Sequence, residues 1–210
     1  MEIFIDAFHL LHQYLDPRTI VAAGYFVLIL VVFAETGLLV GFFLPGDSLL
    51  VVAGLYAANG DLNVLILLST LFIAAVVGDA VGFLTGAKLG PRIFTRPKSM
   101  FFRPEHLQRA HAFYEKYGGK TIIIARFVPI VRTFAPIVAG AAQMSYRQFV
   151  IFNIVGAFLW VFGMILTGYF LGRLIPGLDQ YIEWVALTII LLSLMPLVIE
   201  YIKARRAKTT

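Results

Sequence analysis

Apolar residues in this chain come in long blocks, not in the spaced stripe that marks one face of a soluble helix. Residues 64–77, 149–170 and 184–201 are nearly free of charge, and about 20 such residues cross a ~30 Å hydrocarbon core. These blocks predict transmembrane helices over residues 62–89, 147–170 and 183–201. Two further apolar stretches are interrupted. Residues 20–60 contain Glu35 and then Pro45-Gly46-Asp47, and residues 121–143 contain Arg126, Pro129, Arg132 and Pro136. Segments 3–17 and 104–117, the second inside a basic loop over 91–120, mix apolar and polar residues as interfacial helices do.

Proline removes a backbone donor and disfavours helix in the residue before it. Pro129 and Pro136 should therefore cut 121–143 into pieces of about ten residues, ~15 Å each, half a bilayer. The expectation is a re-entrant hairpin turning near Arg132-Thr133, with a counterpart around Pro45, Gly46 and Asp47. The two halves echo each other. Val51-Val52-Ala53-Gly54 returns as Ile137-Val138-Ala139-Gly140, and Gly82 and Gly86 as Gly168 and Gly172, all at an offset of 86 residues. With the hairpins entering from opposite sides, the predicted fold is an all-α membrane protein. It is an inverted repeat of two opposed re-entrant helical hairpins, completed by transmembrane helices and interfacial amphipathic helices, in a single membrane domain.

Charge supplies the orientation. Before Lys88 the only basic residue is Arg18, whereas eight basic residues fall between Lys88 and Lys120 and four more in the 202–210 tail. The positive-inside rule places that loop and the C-terminus in the cytoplasm. An even number of crossings must then separate them, so one of the three apolar segments between cannot cross, and 121–143 is the one broken by proline. Composition agrees: 60% hydrophobic, 14% charged and mean hydropathy +0.88, against about half apolar and a quarter charged in soluble domains. Orientation accounts for the basic loop, so no nucleic-acid partner is expected. Glu2 and Asp6 stand where a secretion signal carries positive charge, and the N-terminus is read as uncleaved. The chain has no cysteine, which removes disulfides, thiolate metal sites and cysteine nucleophiles.

Four charges lie in the segments read as non-spanning: Glu35, Asp47, Arg126 and Arg132. At about 2.5–3.5 kcal/mol for each charge at a helix centre, four unpaired ones would cost on the order of 10 kcal/mol. Opposed tips that bring two carboxylates to two guanidiniums remove most of that cost. Asp79, inside the 62–89 helix, is a secondary proton-relay candidate near the hydrated cytoplasmic end. Plainer readings exist: Asp47 and Thr133 as helix N-caps, and Glu35 with Arg132 as a structural ion pair. Buried pairs stabilise poorly compared with apolar packing, which favours a working role for the group. Asn153 and Trp160 read as helix-contact and packing residues, and Gly78, Gly82 and Gly86 as a close-packing face.

The stretches FLPGDSLL, GDAVGFLTGAKLG, ARFVPIVRTFAPIVAG and NIVGAFLW follow in that order, with Glu35 twelve residues before Asp47. Over about residues 20–175 they resemble the bacterial DedA family of the SNARE-associated, VTT-domain superfamily. The resemblance implies an inner-membrane protein with two opposed re-entrant hairpins that moves lipids across the bilayer, notably undecaprenyl phosphate, with ties to the proton-motive force. It also implies essential acids at Glu35 and Asp47 and essential arginines at Arg126 and Arg132. Phe83 and Lys88 stand where relatives often carry tyrosine and arginine.

The expected function is a proton-coupled flippase for an anionic membrane lipid, a polyprenyl phosphate or a phospholipid. Arg126 and Arg132 would hold the phosphate, Glu35, Asp47 and Asp79 would exchange protons, and Pro45, Gly46, Pro129 and Pro136 would shape the turns. Neither metal nor cofactor is expected. Rivals are a proton-coupled small-ion or drug carrier, a phospholipid scramblase and a membrane scaffold. An enzyme lacks its parts: His9, His12, His106 and His111 lie away from the arginines, and no HExxH motif occurs. A homodimer is compatible with this reading.

Overall fold

The computed structural model describes residues 20–21, 23–38, 46–93, 114 and 117–175. The expectations for 3–17, 183–201, 202–210, Pro45, the four histidines and most of the 91–120 loop lie outside those residues. Among the described residues the chain is all helix: α1 (Tyr25–Gly37), α2 (Gly46–Asn59), α3 (Val64–Ile93), α4 (Lys120–Arg126), α5 (Pro129–Ala141) and α6 (Tyr146–Leu174). Two stretches are long and apolar enough to cross a membrane, Val64–Gly90 and Tyr146–Leu174. Both carry large apolar residues outward (Leu65, Ile73, Val77, Leu84, Ile151, Ile154, Phe158), while Asp79 and Asn153 are buried. Polar inside and apolar outside is the pattern for a chain solvated by lipid.

The chain divides into two compact units: one holds α2 and the last part of α6 from Met164, the other α1, α3, α4, α5 and α6 up to Gly163. Within the larger unit, α4 and α5 pack against each other across a two-residue break. Val128 is extended (φ −112°, ψ 107°), and α5 restarts with Pro129 in its first turn. The turn therefore sits at Phe127-Val128, not at Arg132-Thr133. Proline at the start of a helix forfeits a donor that would be unpaired anyway, so Pro129 initiates α5 instead of breaking it. Pro136 is carried inside α5. Thr133 is accordingly interior and buried, not an N-cap. At 13 residues α5 is about 20 Å long, too short to cross.

Each unit contains the same glycine-mediated helix contact. A Cβ on Gly54 would overlap the Ile165 carbonyl and one on Gly168 the Val51 carbonyl. In the larger unit a Cβ on Gly140 would overlap the Phe83 carbonyl and one on Gly86 the Ile137 carbonyl. The short helices α2 and α5 therefore match at the offset of 86, but Gly168 is the counterpart of Gly86, not of Gly82. The long helices are one turn out of that register, at 82, as their starts at Val64 and Tyr146 also show. The slip arises between them, because α2 runs further beyond Gly54 than α5 does beyond Gly140. Both stop the same way. Gly60 (φ 91°) and Gln143 (φ 57°) are left-handed, with Asp61 N–H donating to the Tyr56 carbonyl (3.1 Å) and Met144 N–H to the Ala139 carbonyl (3.0 Å).

Candidate functional site

The larger unit folds four charged side chains into its interior. Glu35 on α1, Asp79 on α3, Arg126 at the end of α4 and Arg132 on α5 are 1%, 3%, 2% and 5% exposed. Glycines set the approach of α1 to α3: Gly37 meets Gly78 backbone to backbone, and a side chain on Gly78 would strike the Thr36 hydroxyl. That crossing brings Glu35 and Asp79, each next to a crossing residue, into the same interior. The tight Phe127-Val128 turn does likewise for Arg126 and Arg132. The Thr36 hydroxyl donates to the Val32 carbonyl at 2.9 Å, within its own helix.

Two ion pairs result. Arg132 Nη2 lies 2.5 Å from Glu35 Oε1, and Arg126 Nη1 lies 2.8 Å from Asp79 Oδ2. Arg126 Nη1 also donates to Asn153 Oδ1 (2.8 Å) and to the Asn153 carbonyl (3.3 Å). Asn153 in turn donates from Nδ2 to the Val76 carbonyl (3.0 Å), which fixes its amide. Both guanidiniums face one indole, with Cζ of Arg126 5.5 Å and Cζ of Arg132 4.5 Å from the Trp160 ring centre. Beside the site, the Tyr114 hydroxyl donates to the Ala135 carbonyl (3.2 Å) of α5, and burial pushes its phenol up to about 12.

Sequence reasoning identified Glu35, Arg126 and Arg132 as intramembrane charges, and the structure brings them together. Asp79, a secondary proton-relay candidate inside the 62–89 helix by sequence, is buried and is the ion-pair partner of Arg126. Asp47 lies in the first turn of α2, in the other unit, half-buried with Gly46 before it. Asn153 and Trp160, helix-contact and packing residues by sequence, both touch the arginines. Their seven-residue spacing, with Gly156 between, was the available signal, since it sets all three on one face of α6. Phe83 stacks on Phe149 at 4.4 Å in the apolar core, where a hydroxyl is not required. Among the described residues no cluster of His, Cys, Asp and Glu could hold a metal.

A helical chain with apolar exterior, two candidate spans and paired charges buried in its core is a membrane protein. Comparison with known proteins narrows the class. The VTT domain model matches residues 44–170. The chain is 51% identical over 185 residues to protein DedA of Escherichia coli (strain K12), covering 87% of this chain and 84% of that one. An uncharacterized membrane protein of Mycobacterium leprae (strain TN) is 43% identical over 81% of this chain and 76% of its own. The inner membrane protein YqjA of Escherichia coli (strain K12) is 38% identical over 71% and 68%. The chain belongs to the DedA family of VTT-domain membrane proteins. No solved structure matches it significantly.

Proposed function

We propose that this protein moves an anionic lipid headgroup across the membrane and that Arg126 and Arg132 hold its phosphate. One observation carries the reading. All the contacts of Arg126 with Asp79 and Asn153 are made by Nη1, while its buried Nε and Nη2 have no hydrogen-bond partner among the described residues. Nε and Nη2 form the side-on edge of a guanidinium, the fork that takes two oxygens of one phosphate. A buried unsatisfied donor costs about 1–3 kcal/mol, so a site that retains two is suited to a ligand that brings oxygens.

The carboxylates set the timing. Asp79 and Glu35 offset the positive charge that phosphate needs, and protonating either leaves its arginine's charge for the lipid. Losing the proton restores the pair and expels the headgroup. Asp47 joins them by family resemblance. The lipid tail stays in the bilayer while the head crosses, in a fold read as re-entrant hairpins and an inverted repeat with the C-terminus cytoplasmic. Polyprenyl phosphate is the leading substrate, and the protein performs no bond chemistry on it.

The test is translocation of labelled polyprenyl phosphate in proteoliposomes with an imposed pH gradient. Arg132→Ala is expected to slow transfer at least about tenfold, and Glu35→Gln to remove the response to the gradient. Normal transfer by Arg132→Ala contradicts the proposal, and saturable transport of a soluble cation without lipid transfer favours the small-ion carrier instead.

A further inference from the structure

We infer that Trp160 is a positioning residue of this site, its indole being the shared platform that holds both guanidiniums for one anionic headgroup. The inference rests on the reading of Arg126 and Arg132 as the phosphate holders. Trp160 is 1% exposed, and both guanidinium carbons lie within 5.5 Å of its ring centre. The two positive groups are thus at most about 10 Å apart in a buried site, where like charges repel strongly. Each has its own carboxylate, but those come from different helices, α1 for Arg132 and α3 for Arg126. The indole faces both, and its electron-rich face attracts both cations.

The α6 surface leading to Trp160 is shaped for Arg126. Asn153 accepts from Nη1, and the arginine stem lies along the helix at Gly156, with Cδ 3.5 Å from where a Cβ would stand, an ordinary contact distance. With Nη1 anchored by Asp79 and Asn153, the plane of the guanidinium turns about that anchor. The ring opposite decides where the Nε and Nη2 edge points. Packing alone needs a large apolar side chain at this position. Holding two cations needs an aromatic face, and tryptophan is the strongest of them.

Calorimetry of the purified full chain in detergent, with farnesyl phosphate as probe and farnesol as its uncharged control, tests this. Trp160→Phe is expected to weaken farnesyl phosphate binding about fivefold and Trp160→Met about twentyfold or more, with farnesol binding unchanged. In a Trp184→Phe background Trp160 is the one remaining tryptophan, and its emission should shift saturably with farnesyl phosphate and not with farnesol. If the wild type binds the phosphate and both Trp160 variants bind it equally well, the platform is refuted and the phosphate reading stands. If the wild type shows no phosphate-dependent binding, both fall. Should Trp160→Met not fold, an emission unmoved by bound farnesyl phosphate refutes the platform.

Discussion

Asp79→Asn isolates the cost of the Arg126 ion pair. Asparagine keeps the size of the side chain and removes its charge, leaving a guanidinium that is 2% exposed without its counter-ion. Removing one partner of a buried pair costs about 3–5 kcal/mol. Here Asn153 Oδ1 and the Asn153 carbonyl still accept from Nη1 at 2.8 and 3.3 Å, so the lower end, about 3 kcal/mol, applies. For a chain of this length each kcal/mol moves the melting temperature about 2–4 °C, giving a fall of roughly 6–12 °C. The assay is thermal unfolding in detergent, run beside the double variant Asp79→Leu with Arg126→Met. Replacing both charges by apolar groups of similar size should return stability to within about 1 kcal/mol of wild type while abolishing lipid transfer. A single variant that melts like wild type refutes the cost assigned to the unpaired guanidinium, and a double variant that melts below the single one refutes the idea that these charges are kept for work and not for stability.

Three further outcomes are expected. Gly86→Ala and Gly168→Ala, which drive a methyl into the Ile137 and Val51 carbonyls, should each cost upwards of about 3 kcal/mol, whereas Gly163→Ala, with nothing within 4 Å, should be neutral in the same melting assay. Asn153→Ala leaves the Val76 carbonyl without its side-chain donor and Arg126 without Oδ1, so a loss of about 2 kcal/mol and slower lipid transfer should appear together. Tyr114 has its phenol raised from 10.0 to about 12. A raised folded pKa means stability intact below pH 10 and lost as pH climbs through about 12, so an alkaline melting series should lose part of its slope in Tyr114→Phe.

Much of the site was legible because charge in an apolar run has few explanations. Glu35, Arg126 and Arg132 declare themselves by cost alone. Which carboxylate meets which arginine depends on helix crossings, and those are set by backbone contacts such as Gly37 against Gly78 that a linear pattern does not display. Asp79 is legible as a charge inside α3, but that α1, α4 and α6 close around it is not. The hairpin turn was misplaced by about five residues because two prolines look alike in sequence. One starts α5 harmlessly, and the other sits within it. The matching glycines were visible in the sequence, yet the register of their contacts was not. A longer α2 moves the second pair of helices by one turn, which only the partner carbonyls reveal. Trp160 and Asn153 were passed over because an aromatic and an amide in a membrane helix ordinarily serve packing.

The most direct measurement compares wild type with Arg126→Lys in polyprenyl phosphate transfer across proteoliposomes. Lysine keeps the positive charge beside Asp79 but removes the Nε and Nη2 edge, so the pair survives and the fork does not. A folded Arg126→Lys protein that moves the lipid at least about tenfold more slowly is the expected result. Transfer at the wild-type rate contradicts the claim that this edge grips the phosphate.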